Sequence, residues 1–269
     1  MRYAIIYSEK DMAGKNIALQ FKELGFLPHV PIIGLKKETI FTDVNMKKFP
    51  QLRGIDFIVF ASQHRSQKGM PSLAIHAPGN WRAAEYGGKE GNVCLSSAFI
   101  FKYLFQQLEK NMKQEKTVAE KYLLTMEATH HGPVVELPCI FIELGSNETQ
   151  WSDLVAARVL AQTIFSLEKY AAGEDWVASF AVGGPHYAPN FNALQLRSKY
   201  ALSHIIPSYS FPLTSSILSE AEKKTTEQVQ TVLIDWKGCG NAQERDKTIS
   251  LIEKRGFKVV RAEHASQKI

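Results

Sequence analysis

Short apolar runs closed by polar residues recur along this chain, and longer stretches with apolar residues at helical spacing separate them. Tyr3–Tyr7 and Ile55–Ala61 have the length and near-continuous apolarity of strands buried on both faces. Leu73–His76 (ended by Ala77-Pro78-Gly79), Tyr122–Ala128, Cys139–Leu144 and Val177–Val182 read the same way, and Thr231–Asp235 and Phe257–Val260 supply late strands. Between them, Asn16–Leu24 is a short amphipathic helix, and Ser97–Glu109 carries Phe101, Leu104, Phe105 and Leu108 on one helical face. Trp151–Tyr170 is the longest predicted helix, with Asn147 placed to cap it and Gln150 three residues later. Ala242–Lys254 is the last, closed by Gly256. This alternation predicts an α/β fold with a mixed or mostly parallel central sheet flanked by helices. No internal repeat or low-complexity linker interrupts it. The Ser- and Thr-rich residues 206–228 are the softest stretch and a candidate connection to a small C-terminal lobe, but the primary expectation is one α/β catalytic domain over residues 1–269.

Composition narrows the class. A chain of 269 residues can bury a sizeable core, and 45% hydrophobic against 22% charged residues excludes disorder, collagen and coiled coil. No run of roughly 18 apolar residues appears, so no membrane association is expected. The first apolar run, Tyr3–Tyr7, is too short for a signal peptide. Cys94, Cys139 and Cys239 are widely separated and form no C-x-x-C pair, which points to a reducing cytoplasm. Cys139, inside an apolar run, reads as a core thiol. The net charge of +5 tolerates a polyanionic partner without demanding one. Residues 36–53 hold five Lys/Arg against two acids, and residues 102–121 five Lys against three Glu. Solvated surface is the ordinary reading of both; a phosphate-tracking surface for RNA is the sharper one.

The chemistry gathers at predicted strand ends. His76, the pair His130-His131, and His186 stand in or beside loops rich in Gly and Pro, and His64 follows a further strand. Sites in open α/β sheets collect beyond the carboxyl ends of strands, so these imidazoles can face one cleft. Each histidine alone is more often a structural residue; the joint pattern marks a shared site. Imidazole serves there as general acid or base near its unperturbed pKa of about 6.5, or as a metal ligand. Glu127 and Glu143 can add carboxylate ligands or orient an imidazole. His130 and His131 diverge in an extended chain, so joint ligation requires a turn. No H-E-x-x-H, cysteine cluster, G-x-S-x-G elbow or P-loop occurs. Gly87-Gly88-Lys89-Glu90-Gly91-Asn92 lacks a preceding strand and reads as a turn. Trp81, Tyr86 and Tyr187 can stack a terminal base or an amino-acid side chain, with core packing as the alternative.

Four segments carry a resemblance: Glu127-Ala128-Thr129-His130-His131-Gly132-Pro133, Phe141-Ile142-Glu143-Leu144-Gly145-Ser146, Gly183-Gly184-Pro185-His186-Tyr187 and His76-Ala77-Pro78-Gly79-Asn80-Trp81. Together, and in this order, they resemble the archaeal and plant type of D-aminoacyl-tRNA deacylase. The resemblance implies hydrolysis of the ester joining a D-amino acid to the 3′ end of tRNA, with broad side-chain tolerance and L-aminoacyl-tRNA spared. It also implies a fold like that of peptidyl-tRNA hydrolase and nucleoside phosphorylase, zinc dependence, and a monomer without an obligate protein partner. On that reading His130 and His131, supported by Glu127, position metal or water, and His76 and His186 do acid–base or ligand work. His130, His131, Glu127 and Glu143 form the candidate metal set. Gln63, Arg65, Asn80 and Tyr187 contact the terminal adenosine or the amino group, Trp81 stacks, and the Gly183-Gly184 or Gly132 backbone faces the oxyanion. A peptidyl-tRNA hydrolase-like or nucleoside-processing hydrolase is the nearest alternative, and a non-enzymatic RNA-binding module the more distant one.

Overall fold

The computed structural model describes residues 1–25 and 27–265. In chain order the elements are β1 (Tyr3–Ser8), α1 (Met12–Leu24), β2 (Ile32–Leu35), β3 (Phe57–Arg65), β4 (Ser72–His76), β5 (Gly79–Asn80), β6 (Asn92–Val93), α2 (Ala98–Gln114), α3 (Lys116–Lys121), β7 (Leu123–Met126) and β8 (Cys139–Ser146). There follow α4 (Glu148–Trp151), α5 (Leu154–Phe165), β9 (Val177–Val182), α6 (Pro189–Arg197), β10 (Tyr200–Ile206), α7 (Ser215–Lys223), β11 (Thr231–Ile234), α8 (Ala242–Lys254), β12 (Lys258–Arg261) and α9 (Ala262–Ala265). Six strands form a mixed sheet in the order β2-β1-β3-β8-β4-β7, with β4 antiparallel to β8. Four more form a parallel sheet in the order β10-β9-β11-β12. The α/β class and the mixed central sheet flanked by helices therefore stand.

Period-two alternation divides the large sheet. Tyr3, Ile5, Phe57, Val59, Ile140 and Ile142 point into one apolar cluster with α1, α2 and α5, while Ala4, Ile6, Ile58, Phe60, Cys139 and Phe141 point into another. Cys139 is wholly buried there. The first cluster runs on through Ala181, Leu202, Ile205 and Leu233 of the second sheet, whose other face is covered by Ile217, Leu218 and Ala221 of α7 and Ile252 of α8. Among the described residues no helix is long and apolar enough to cross a membrane.

The predicted helix Trp151–Tyr170 is broken. Asn147 caps the short α4, and Asp153 starts a second helix by accepting from the Val155 and Ala156 N–H groups at 3.1 Å. Its last turn is a 3-10 helix over Ser166–Lys169. The pattern missed β2, a four-residue strand with a central Gly34, and β10, whose Ser203-His204 interrupts an apolar run. It also missed α6, which opens on Pro189 at its first turn, and α7. Residues 206–228 thus hold a 3-10 turn and the packed helix α7.

Parallel neighbours β1 and β3 leave a crevice beyond their carboxyl ends, because the chain runs from β1 to β2 on one side while β3 lies on the other. Asp11 binds this crevice together. It caps α1 through Gly14 N–H and accepts the Gln63 N–H, both at 2.8 Å. Burial pushes its carboxyl up to about 6 against those N–H bonds.

Candidate active site

Adjacent strands bring the first three groups together. Ser62 on β3 and Ala74 on β4 both pair with Glu143 on β8, so His64 and His76 flank that carboxylate on one sheet face. Phe141 stacks on Phe60 at 4.7 Å and on His76 at 5.3 Å, forming the apolar floor. Glu127 follows β7, and the His130-His131 turn follows it. The loop after β9 delivers His186. A cavity of about 850 Å³ opens onto this cluster, lined by His64, His130, His131, Glu143 and His186 and, from the crevice, by Asp11, Gln63 and Arg65.

The turn needed for His130 and His131 exists. His131 has φ +46°, in the left-handed region that a side chain larger than glycine rarely adopts, and the two rings converge with centroids 4.3 Å apart. His76 lies 4.3 Å from His130 and 4.9 Å from His131. Each of the three fixes its Nδ1 on a backbone carbonyl: His76 on Ala77 at 3.2 Å, His130 on Ala128 at 2.8 Å and His131 on Gly132 at 2.6 Å. A carbonyl only accepts, so each Nδ1 carries the proton. Nε2 of a neutral ring is then a lone pair, the tautomer that outer contacts impose on metal-ligating or water-holding histidines.

Electrostatics split the histidines into two kinds. His64 Nδ1 lies 2.9 Å from Glu127 and 3.6 Å from Glu143, and its Nε2 lies 3.1 Å from the Tyr187 hydroxyl. Burial opposes its charge, but the two carboxylates prevail and hold it at about 11. His76, 3.6 Å from Glu143, is raised for the same reason. Burial would raise both carboxyls. Contacts with His186 and His64 instead hold Glu127 well below its usual range, and His64 and His76 hold Glu143 at about 2. His130 and His131 go the other way. Burial and their cationic neighbours depress both, His131 to about 4. His186, 3.5 Å from Glu127 and 3.3 Å from the Tyr209 hydroxyl, faces the cavity.

Not every expected residue reaches this cavity. Gln63 and Arg65 line it, and the Arg65 guanidinium sits 5.1 Å from the Trp151 ring centroid. Tyr187 holds His64 instead of lining the wall. Asn80 is buried and donates to the Gly87 carbonyl at 2.8 Å. Trp81 is buried core, its indole N–H donating to Ile205 at 3.1 Å. Gly183 and Gly184 pack against Asp235 and Gly238, and the Gly184 N–H is already spent on the Gly238 carbonyl at 3.3 Å. Of the expected metal set, His130 and His131 group with His76, while Glu127 groups with His130 and His186, and both carboxylates group with His64. His64 is the central residue, and Asp11 escaped the sequence reading. Its only signal was an Asp four residues past the first strand, at a helix start.

The Gly87–Asn92 loop is the tip of the β5–β6 ribbon and buttresses the histidine turn. Gly132 N–H donates to Tyr86 at 2.9 Å, and a Cβ on Gly132 would stand 2.2 Å from the Ile40 carbonyl and 2.5 Å from the Gly88 nitrogen. Both obstacles are backbone and cannot rotate away. Gly132→Ala is therefore expected to cost about 1–3 kcal/mol through overpacking and to disturb the His131 geometry. Chemical denaturation checks the first effect and turnover the second; an unperturbed variant would contradict the close fit.

Comparisons with known proteins give the family. A family model described as D-aminoacyl-tRNA deacylase matches residues 52–260. A D-aminoacyl-tRNA deacylase of Thermococcus onnurineus is 34% identical over 86% of this chain and 83% of its own length. One of Methanocaldococcus jannaschii is 30% identical over 96% and 98%. A crystal structure of a conserved protein of unknown function superposes with a TM-score of 0.89 at 27% identity, covering 99% of this chain and 97% of that one.

Proposed function

The chain belongs to the D-aminoacyl-tRNA deacylase family, and on that premise we infer that it hydrolyses the ester of D-aminoacyl-tRNA to free tRNA and a D-amino acid. One observation carries the assignment of that chemistry to the cluster: two buried carboxylates and five imidazoles converge at the floor of a cavity large enough for an aminoacylated nucleotide.

An aminoacyl ester is already activated, so a held water, a proton donor and a settled oxyanion suffice. The neutral Nε2 atoms of His130 and His131 hold the attacking water at the cavity floor. His64, cationic between Glu127 and Glu143, keeps both carboxylates ionised. His186 is oriented by Glu127 and Tyr209 and stands at the cavity wall, where it takes a proton from the attacking water and returns it to the departing 3′-oxygen. The cationic His64 favours negative charge on the tetrahedral carbon's oxygen.

The donor set suits zinc. Three imidazoles have their Nδ1 fixed on carbonyls, their ligand atoms lie within 4.8 Å of one another, and the His76 Nε2 is buried without a hydrogen bond. His76, His130 and His131 would hold the ion, with Glu127 and Glu143 outside them. When bound it supplies carbonyl polarisation and a lower water pKa. Broad side-chain tolerance follows if D-selectivity rests on a clash with the L side chain, which needs no side-chain pocket. Three reduced cysteines support a cytoplasmic setting. A fold like that of peptidyl-tRNA hydrolase and nucleoside phosphorylase is part of the same proposal, for which the cleft at the strand ends is the support.

The test is release of tyrosine from tRNA charged with D-tyrosine or L-tyrosine. Rapid release of the D-form with the L-form spared is the expected result. Equal rates, or none, would sink the reading and bring forward N-blocked aminoacyl-tRNA or nucleoside substrates.

A further inference from the structure

Six of the ten cations in the two basic stretches are already engaged. Lys113, Lys116 and Lys121 pair with Glu109, Glu120 and Asp153, Lys36 with Glu9, and Lys48 with Asp43. Lys102 is buried against the Gln195 carbonyl and lies 5.7 Å from the Trp176 ring centroid. A different group of cations is left without carboxylate partners among the described residues. Trp236, two residues past β11, carries the Arg261 guanidinium 3.2 Å and the Arg245 guanidinium 4.2 Å from its ring centroid. Lys237 is exposed beside it. Arg245 makes only long bonds to the Trp236 and Gly240 carbonyls, at 3.5 and 3.4 Å, and its Nε is buried without a partner.

Two neighbouring carboxylates are engaged elsewhere. Asp235 accepts from Gly238 N–H and from the Asn190 amide, both at 2.9 Å, and Glu244 closes the α8 capping box on Asn241 N–H at 2.9 Å. Asn241 in turn takes the Glu244 N–H at 3.0 Å, so the attraction for an anion here comes from the side chains and not from the helix terminus. Two like charges share one indole. Cation–π contact offsets part of their repulsion, and the remaining field faces outward.

Register places this group beside the catalytic cluster. Val182, Ile234 and Arg261 lie in one row across β9, β11 and β12, and His186 follows Val182 by four residues. Two strand spacings separate β9 from β12, about 10 Å. Building on the D-aminoacyl-tRNA reading, we propose that Arg245, Arg261 and Lys237 dock the phosphodiester backbone of the tRNA close to its aminoacylated end. The planar guanidinium forks suit phosphate oxygens, and Trp236 holds them in place. A site that tolerates many amino acids gains its tRNA affinity here, away from the side chain of the ester.

Four variants test this: Lys237→Glu, and Arg245→Gln and Arg261→Gln, singly and together. Binding of uncharged tRNA is followed against KCl, and kinetics are run on D-tyrosyl-tRNA and on the D-tyrosyl ester of a CCA trinucleotide. The double variant is expected to lower the log–log salt slope by about 1.5 and to raise KM for charged tRNA about tenfold. Its kcat, and both constants for the trinucleotide ester, stay at wild-type values. Lys237→Glu, on the surface, gives the smaller change in the same direction and carries the test if the arginine variants fold poorly. Unchanged slopes and KM would overturn the platform, as would an equal loss on the trinucleotide. A lowered slope without D-ester hydrolysis by the wild type would keep the platform and reject the catalytic reading.

Discussion

His130→Ala is expected to lower kcat on D-aminoacyl-tRNA by about 10²–10⁴, the range for losing a group that positions or transfers a proton. The ring is placed for that effect. Its Nδ1 is held by Ala128 at 2.8 Å, its Nε2 stands 3.7 Å from Glu127, and it touches His76, His131 and His186. The side chain keeps 25% exposure, so alanine leaves a water-filled notch at the cavity edge and no dry core cavity. The melting temperature should hold within a few degrees and uncharged tRNA should bind as before. Free imidazole should restore part of the rate, because the notch admits a ring of that size. Turnover within threefold of wild type would remove His130 from the reaction. A parallel loss of folding would show a structural role in its place.

Strand-end histidines were legible in the sequence because apolar runs fix where strands stop, and Gly and Pro fix where loops begin. The structure brings His130, His131 and His186 to one cavity and packs the buried His76 against the first two. The turn that joint ligation by His130 and His131 would require is supplied by His131 at φ +46°. Roles within the cleft were less legible, because they depend on register. His64 becomes the bridge between two carboxylates only because β8 lies between β3 and β4, and no run of residues reveals strand order. Asn80 and Trp81 looked like substrate contacts from their place after Gly79. The β5–β6 ribbon turns both inward, one onto Gly87 and the other onto Ile205. Gly183-Gly184 looked like an oxyanion loop, but a neighbouring strand end from the second sheet, Asp235 to Gly238, fills that space. Among the elements missed, β2, β10, α6 and α7 are short or broken by Gly, His, Ser and Pro. Tertiary packing, not local pattern, holds them.

The charge ledger of the cleft predicts a large effect for Glu143→Gln. Glu143 has 4% side-chain exposure and meets His64 and His76 at 3.6 Å and His131 at 4.0 Å. Its neutral replacement leaves buried cations short of a partner, which costs about 3–5 kcal/mol. For a chain of this size the melting temperature should fall by roughly 6–20 °C.

The pH dependence separates this loss from generic damage. Glu143 titrates at about 2 in the folded protein against an ordinary 4.5, so its contribution is complete above pH 4.5 and is lost as pH falls toward 2. His64 titrates at about 11 against 6.5, so its contribution is complete below pH 6.5 and is lost as pH rises toward 11. The cluster therefore adds most stability between pH 4.5 and 6.5 and less on either side. In Glu143→Gln the acid limb flattens, because the group that titrated is gone. The alkaline limb moves to lower pH, because His64 keeps only Glu127. Melting curves from pH 3 to 10 on both proteins decide it. A variant that melts uniformly lower, with both limbs in place, would mean that packing and not charge makes Glu143 necessary. Deacylation should fall with it by about 10² or more, since His76 and His131 lose the carboxylate between them and with it the alignment of His131 on the attacking water.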